Sequence, residues 1–298
     1  MMRNAKTLGF LIALNLLVVY LIWGSTYLAI KLCVKELDPL IMCGIRFLLA
    51  GIILVIFLFI KKEKFPAKKQ VAYAFLPSAF MMLGGTGAVA IAEQWVSSGL
   101  AAVAIAMTPL WACLITGLLK KKWPNYWEWI GISVGIIGIG LLNSDGQLRA
   151  TFGGAFFLLL APLCWAIGSI MLKNIEASIS GMMSNALTML WGGLLCLLVG
   201  LISGERFSVN FSIETFFSLW YLIVFGSLIG FSSYMYLFRN TRPALATSYS
   251  YVNPVIAVLL GLFLGNETMS LVGWFALSMA VIGVFFVIKG QNEFGGDY

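Results

Sequence analysis

The chain has 298 residues, of which 61% are hydrophobic and only 10% are charged, and its mean hydropathy is +0.97. An ordinary soluble domain carries about 25% charged residues, so this composition excludes a soluble protein and predicts an integral membrane protein. The net charge of +7 would indicate a nucleic-acid partner in a soluble protein, but here the basic residues follow the membrane topology and no nucleic-acid partner is expected.

Ten apolar runs follow one another along the chain. A helix of about 20 apolar residues spans the ~30 Å hydrocarbon core of a bilayer, so the runs predict ten transmembrane helices. The first run is longer than the apolar part of a signal peptide, and no A-x-A cleavage site follows it. The approximate bounds of the runs are 8–34, 39–60, 71–95, 99–119, 127–143, 152–172, 180–201, 216–239, 243–263 and 269–289.

The basic residues predict the orientation of these helices. If the N-terminus is inside, fourteen of the 19 Lys and Arg residues lie on the cytoplasmic side. Only Lys31, Lys35, Arg149 and Arg206 lie outside, and Arg46 remains within a helix. Cytoplasmic loops carry such an excess of Lys and Arg. We therefore predict a multi-pass protein of the plasma (inner) membrane with both termini in the cytoplasm.

The five cysteines and the absence of histidine bear on metal and redox chemistry. The cysteines lack the spacing of a metal site or a disulfide framework. They are predicted to be small apolar packing residues, with a Cys33–Cys43 bridge as the alternative. The absence of histidine removes the commonest general base and the commonest metal ligand. We expect neither a cofactor nor a metal.

The two halves of the sequence resemble each other at a fixed spacing. An offset of 142 residues places Trp165 on Trp23 and Lys173 on Lys31. Farther along, an offset of 145 places Asn253 on Thr108. The chain is therefore predicted to use five helices twice.

These repeats define the predicted domains. Residues 1–148 form the first repeat and residues 149–290 the second, and the polar tail 291–298 is predicted to be disordered. Because five is odd, the second repeat must have the inverted orientation in the membrane. Inverted repeats support alternating access in many transporters.

Several motifs resemble the drug/metabolite transporter superfamily in its EamA type. They are WGSTYLAIK from Trp23, RFLLAG from Arg46 and LAAVAIAMTP from Leu100, with their echoes in the second half. The resemblance covers residues 8–289. It implies ten helices around a central cavity lined mainly by helices 1, 3, 4, 6, 8 and 9, and the export of small metabolites, often amino acids, nucleobases or amphiphilic toxic compounds.

Aromatic residues are the first candidates for substrate contact. Trp23 and Tyr27 share one face of the first helix. Trp23 lies roughly 22 Å beyond Leu8 by helical rise, which is too deep for an aromatic belt at the inner interface. Cavity lining and helix packing remain alternatives for Trp23 and for its counterpart Trp165.

The ninth helix contains the segment ATSYSYVNP, in which six of seven consecutive positions from Thr247 to Asn253 carry hydrogen-bonding side chains. Tyr249, Ser250 and Asn253 are predicted to line the cavity and bind substrate. The alternative is hydrogen bonding between helices.

Two prolines and two further side chains complete the predicted cavity. Pro109 and Pro254 are predicted to kink the fourth and ninth helices by freeing backbone carbonyls four residues earlier. Met82 in the third helix and Tyr234 in the eighth are predicted to line the cavity, although methionine is more often a core residue.

Arg46 and Glu93 are the candidates for gating or an ion pair. Arg46 lies roughly 10 Å below the outer end of its helix, where an unpaired guanidinium is costly. It is predicted either to bind a substrate carboxylate or phosphate or to pair structurally with Glu93. The resemblance favours the structural or gating role. Glu93 is expected to be a solvated carboxylate, which gives little support to proton coupling.

The sequence thus predicts an exporter of small organic metabolites such as amino acids, working as a monomer or homodimer in the lipid bilayer by alternating access. Two alternatives remain. A broad drug and toxin exporter would hold amphiphilic cations over aromatic rings. An intramembrane enzyme usually needs paired carboxylates, histidine or metal ligands near an interface, and the sequence does not assemble such a set.

Overall fold

The computed structural model describes residues 2–96, 98–143, 152–175, 180–208, 210–264 and 271–294. Every regular element in these ranges is a helix. The helices are α1 (Met2–Cys33), α2 (Pro39–Ile60), α3 (Lys68–Ala92), α4 (Ser98–Ile105), α5 (Thr108–Lys120), α6 (Tyr126–Asn143), α7 (Phe152–Ile175), α8 (Gly181–Ile202), α9 (Ile213–Asn240), α10 (Pro243–Ala246), α11 (Tyr249–Leu264) and α12 (Leu271–Phe294).

Six helices of the described chain are long and apolar enough to cross a membrane, namely α1, α2, α3, α7, α8 and α9. Their side chains leave a wide belt of exposed leucine, isoleucine and phenylalanine residues. Since such a belt is stable in lipid and not in water, the prediction of an all-helical, multi-pass membrane protein is confirmed.

Local sequence explains where several helices begin. Pro39 opens α2, where its fixed φ suits the first turn and its missing N–H has no partner to lose. Ser180 and Ser212 cap α8 and α9, because their hydroxyl oxygens accept hydrogen bonds from the N–H groups of Met183 and Thr215, each at 3.2 Å.

The fourth predicted run is interrupted close to its proline. Helix α4 ends at Ile105 and α5 begins at Thr108, so Pro109 lies in the first turn of a new helix. The Thr108 hydroxyl donates to the Ile105 carbonyl oxygen at 2.6 Å, the carbonyl that proline was predicted to free. At the interruption, the Thr108 hydroxyl therefore supplies the hydrogen bond that the Ile105 carbonyl lacks within the helix.

The ninth predicted run is also interrupted, but not at its proline. The break lies between α10 and α11, whereas Pro254 lies inside α11, so the interruption precedes the proline and the kink at Pro254 stays a prediction. The hydroxyls of Thr247 and Ser248 donate to the carbonyls of Pro243 and Leu245, each at 2.7 Å. Such local bonds compete with regular helix geometry, and they occur where the helix is interrupted.

Two helix pairs form close crossings, α2 with α8 and α6 with α12. A Cβ atom on Gly131 would lie 2.6 Å from the Gly283 carbonyl oxygen, and one on Gly193 would lie 2.6 Å from the Leu48 nitrogen. Small residues at these positions let the two backbones approach each other. Around these pairs, α1 packs against α9 and α11, while α7 packs against α3, α4 and α5.

The end of the bundle where α1 begins, called the N-terminal end below, contains a buried ion pair. Arg242 Nε lies 2.6 Å from Glu128 Oε1. Next to it, the Asn125 side-chain amide donates to the Gly290 carbonyl at 3.0 Å. These contacts join the loop before α6 to the start of α10 and to α12.

At the opposite end, carboxylates bind backbone N–H groups across the two halves. Glu205 accepts from the N–H groups of Leu40 and Ile41, each at 2.9 Å. Glu36 accepts from the Ser212 N–H at 2.8 Å. The loop after α1 is thereby joined to the loop after α8, and the carboxylate of Glu205 also sits at the positive N-terminus of α2.

Two further predictions concern the cysteines and the tail. All five cysteines are buried and free, so their predicted packing role is confirmed and a Cys33–Cys43 bridge is absent. Helix α12 continues to Phe294, so the first four residues of the predicted disordered tail are helical. Residues 295–298 lie outside the described residues.

Candidate functional site

A cavity of about 80 Å³ lies at the centre of the bundle, and residues of α1, α2, α3, α4, α7, α9 and α11 line it. This volume holds several water molecules but is far below the roughly 300 Å³ at the lower end of ordinary ligand pockets. Six of the eight predicted substrate-binding residues line the cavity, as does one of the two predicted gating residues. They are Trp23, Tyr27, Met82, Trp165, Tyr249, Asn253 and Arg46.

A cluster of four aromatic rings adjoins the cavity. The Trp23 ring lies 5.4 Å from Trp165, 5.1 Å from Tyr234 and 4.8 Å from Tyr249, measured between ring centroids. Tyr234 is fully buried and contacts all three other rings. It does not line the cavity, because the surrounding rings and a 2.8 Å hydrogen bond to the Ser169 hydroxyl enclose it, and its contact with a substrate stays a prediction.

The two tryptophans occupy corresponding positions, because each indole packs against a glycine of the other half. Trp23 packs against Gly230, where a Cβ atom would lie 2.5 Å from the indole nitrogen. Trp165 packs against Gly85, where a Cβ atom would lie 2.9 Å from indole Cε3. The tryptophans are 142 residues apart and the glycines 145, which are the two offsets of the sequence repeat.

The indole N–H groups of these tryptophans differ. Trp23 Nε1 donates to the Gly226 carbonyl at 3.0 Å, and its side chain is 8% exposed. Trp165 Nε1 is buried and makes no hydrogen bond of normal geometry, and its N–H lies toward the Tyr234 hydroxyl. Unlike Trp23, Trp165 is therefore not bound to the backbone of the other half.

Each glycine that packs against a tryptophan belongs to a π-helical segment. These segments are Ala79–Gly87 in α3 and Leu222–Phe231 in α9, and residues of both line the cavity. Their starts are 143 residues apart and their ends 144, so they occupy corresponding places in the two halves. Wide π turns occur frequently at functional sites, and here they carry the glycines on which the indoles pack.

Asn253 supplies an unsatisfied polar atom to the cavity. Its side-chain oxygen and nitrogen are both buried and make no hydrogen bond of normal geometry, but the amide N–H lies toward the Tyr27 hydroxyl, so the oxygen is the atom without a partner. Buried amides are normally satisfied, so this oxygen is suited to binding a guest. Ser250 does not line the cavity, and its hydroxyl donates to the Thr247 carbonyl at 2.9 Å; its contact with a substrate stays a prediction.

Arg46 is buried in the cavity wall with 5% of its surface exposed. Its Nε donates to the Ser227 hydroxyl at 2.8 Å, and its guanidinium carbon lies 4.9 Å from the centre of the Phe47 ring. Its Nη1 has no hydrogen-bond partner. The predicted pairing of Arg46 with Glu93 is wrong, because Ser227 is the partner of Arg46.

Glu93 lies at the end of α3 and is fully buried, so the prediction of a solvated carboxylate is also wrong. Both carboxylate oxygens lack a hydrogen-bond partner. The Lys31 ammonium donates to the backbone carbonyls of Glu93 and Val96, which places a positive charge at the C-terminus of α3. Glu93 does not line the cavity.

Sequence reasoning missed several residues of the site. Gly226 and Ser227, which bind Trp23 and Arg46, lie in an apolar run without a local signal. Gly230 and Gly85 could have been found, since the offset of 145 aligns them. Among the described residues, no group of three or more His, Cys, Asp or Glu side chains could hold a metal ion.

Comparisons with known proteins agree with this architecture. The family model described as "EamA-like transporter family" matches residues 10–144 and 152–289. The uncharacterized inner membrane transporter YedA of Escherichia coli K12 is 42% identical over 280 residues, covering 94% of this chain and 91% of YedA. Protein PagO of Salmonella typhimurium is 25% identical over 293 residues, covering 94% of each chain.

A protein of known crystal structure has the same fold. Its TM-score is 0.76 over 95% of this chain and 98% of that chain, at 15% sequence identity. At this identity the likeness concerns the fold alone.

Proposed function

Since the chain belongs to the EamA-like transporter family, we propose that it exports small organic metabolites such as amino acids across the inner membrane by alternating access. The observation that carries this proposal is the pair of tryptophans at one central cavity. Each comes from one half of the chain and packs against a glycine in a π-helical segment of the other half. Two equivalent walls around one site are what alternating access requires.

Ten transmembrane helices result if α4 with α5 and α10 with α11 each form one interrupted span. The packing supports an inverted relation between the two groups of five. Exchanging the halves converts the contact of α1 with α9 into the contact of α7 with α3, and both contacts occur. It converts the pairs α2–α8 and α6–α12 into themselves, as a two-fold axis between the halves would require.

The distribution of cavities supports a closed barrier on one side of the site. Two larger cavities, of about 410 and 220 Å³, lie toward the N-terminal end, and Arg239 borders both. Phe238 lines the smaller one and contacts Tyr234, with 5.7 Å between ring centroids. The cluster around Tyr234 thus separates these cavities from the central one. With both termini in the cytoplasm, as the basic residues predict, cargo enters from the larger cavities and passes this cluster.

Flux measurements test the proposal. Purified protein is reconstituted in liposomes loaded with amino acids, nucleobases and cationic amphiphiles, and efflux is followed by mass spectrometry with and without a pH gradient. We expect one compound class to leave faster than from protein-free liposomes, and Trp165→Ala and Asn253→Ala to slow it. Faster accumulation of that compound in the medium of expressing cells tests the direction.

Matched variants control for general damage. Trp220 is 42% exposed on the outside of α9, and Asn240 is exposed at its end. Trp220→Ala and Asn240→Ala should leave the flux unchanged. If no compound leaves selectively through the wild-type protein, the transport proposal is wrong.

The intramembrane enzyme is the alternative from another class. The family and YedA are named as transporters, and the cavity side chains of Trp165 and Asn253 form no pair of nucleophile and base. These observations support transport without catalysis.

A further inference from the structure

The guanidinium of Arg46 occupies a fixed position in the cavity wall. Its Nε is bound to the Ser227 hydroxyl, and Phe47 lies beside its guanidinium carbon. Nη2 lies against the backbone of Gly226, where a Cβ atom would approach it to 2.8 Å. Nε therefore has a hydrogen-bond partner, and Nη1 is a donor left without one.

The charge of this guanidinium has no acidic partner in the cavity. None of the described residues that line the cavity is Asp or Glu. Glu93 is buried elsewhere, at the end of α3, and the charge that acts on its carboxylate is the Lys31 ammonium. A buried cation inside a membrane protein is costly unless an anion compensates it.

The repeat also indicates that Arg46 serves a ligand and not the fold. The offset of 142 places Thr188 at the corresponding position of the second half. Thr188 is fully buried and donates to the Ser184 carbonyl within its own helix at 2.9 Å. The same place in the fold is therefore stable without a charge.

We infer that Arg46 binds the carboxylate of the transported molecule, and this inference rests on the transport function proposed above. The substrate class is then small carboxylic acids, including zwitterionic amino acids. Arg46 Nη1 donates to the carboxylate in a charge-assisted hydrogen bond, and the free side-chain oxygen of Asn253 accepts from an ammonium group.

The same arrangement disfavours amphiphilic cations that lack an acidic group. Such a molecule would add a second positive charge to a cavity that already holds an uncompensated guanidinium. In a medium of low dielectric constant, like charges repel far more strongly than in water. The cavity therefore discriminates by the carboxylate and not by aromatic surface alone.

Substrate series that differ only in the carboxylate test this inference. Leucine, phenylalanine and tryptophan are compared with their amides, and phenylalanine also with phenethylamine. Counterflow in liposomes and equilibrium binding to the purified protein in detergent are both measured. We expect the wild-type protein to prefer an acid over its amide by about 10- to 100-fold, the range expected for a hydrogen bond to a charged group.

Arg46→Gln should abolish this preference by slowing the acid to the rate of the amide. Arg46→Lys keeps the charge but loses the planar fork, so it should retain a reduced preference for the acid. Thr188→Val alters the corresponding position of the other half and should behave as wild type. The Lys variant and the wild-type comparison remain informative if the Gln variant does not fold.

The outcomes separate this inference from the transport proposal. If the wild-type protein carries amides or phenethylamine as fast as the acids, or if Arg46→Gln keeps the preference, the carboxylate site is wrong and transport stands. If the wild-type protein moves no member of the broader metabolite pool, the transport proposal fails. If it also binds no acid more tightly than its amide, the carboxylate site fails independently.

Discussion

Trp23 and Trp165 occupy corresponding positions in the two halves of the molecule, yet their environments differ. The Trp23 indole is bound to the Gly226 carbonyl and is almost fully buried, whereas the Trp165 indole N–H has no backbone partner and lies toward the Tyr234 hydroxyl. The backbone surfaces that the two rings contact are alike, since each ring packs on a glycine of a π-helical segment. The two repeats therefore share the shape of the tryptophan site but differ in the hydrogen bonds that each indole makes.

The polar residues extend this comparison. The first half contributes a guanidinium, Arg46, where the second half has Thr188 bonded within its own helix. The second half contributes the unsatisfied amide of Asn253, where the first half has Thr108 bonded to Ile105. One half thus supplies a cation and the other an amide, so a bound molecule meets two chemically different walls.

We expect transport to fall most when a methyl group is added to Gly230 or Gly85, the glycines that pack against the indoles. Gly230→Ala should reduce transport by more than about 10-fold, because overpacking of this kind costs about 1–3 kcal/mol and Trp23 is held by its hydrogen bond. Gly85→Ala should reduce it less, because a Cβ atom there meets the indole at 2.9 Å and not at 2.5 Å, and Trp165 is not bound to the backbone. Liposome flux and thermal unfolding in detergent measure both effects. Equal losses in the two variants would contradict the asymmetry.

A smaller effect is expected from replacing each indole. Trp23→Phe removes the hydrogen bond to Gly226 and should lower the free energy of unfolding by about 1 kcal/mol more than Trp165→Phe does, the typical net value of such a bond. Denaturant unfolding in mixed micelles measures the difference. The Trp220→Phe variant, on the exposed side of α9, should have no measurable effect.

The repeat-related pair Thr108 and Asn253 should separate stability from transport. Thr108→Val removes the hydrogen bond to the Ile105 carbonyl and should cost about 1 kcal/mol of stability. Asn253→Leu removes a buried oxygen without a partner together with the polar contact to Tyr27, so stability should change little while transport falls. Unfolding and flux are measured on both variants, and an Asn253→Leu protein that is clearly destabilised would show that this amide is a structural residue.

The smallest effects concern Glu36 and Glu205, which join the two halves at the opposite end. The Ser212 N–H lowers the pKa of Glu36, whereas burial raises the pKa of Glu205 above its usual value. As pH falls from 7, Glu205 should therefore gain its proton first and weaken its bonds to Leu40 and Ile41. The Glu36 contact contributes stability above the usual pKa of Glu and is lost only as pH falls through its lowered pKa.

Hydrogen exchange between pH 7 and pH 4 tests this order. The amides of Leu40 and Ile41 should lose protection at a higher pH than the amide of Ser212. Glu205→Gln should remove the first transition and leave the second. Loss of protection at Ser212 first would contradict the prediction.

The apolar runs and the repeat were sufficient to predict that the protein is all-helical and to predict six of the residues that line the cavity. The positions of Trp23, Trp165, Tyr249 and Asn253 followed from polar or aromatic residues at depths where lipid contact is unfavourable. Lipid contact is unfavourable for such residues at this depth, whatever the packing of the helices.

The predictions for Ser250, Glu93 and Arg46 depended on which side chains surround each residue in the folded protein. The identity of a single residue does not determine those neighbours. Ser250 looked available, but its hydroxyl is bonded to Thr247 in the same turn. Glu93 and Arg46 looked like a pair, but their side chains have different surroundings. The π-helical segments left no sequence signal, because an added residue per turn changes backbone register and not composition.

The small volume of the central cavity has a consequence for affinity. At about 80 Å³, the cavity of the described conformation is well below the volume of ordinary ligand pockets, so a guest larger than this volume must widen it. Part of the intrinsic interaction free energy is then spent on reaching the wider form, and the apparent dissociation constant equals the intrinsic one divided by the fraction of molecules already wide. A substitution that loosens the rings around Tyr234 without touching the guest would tighten binding although it adds no contact.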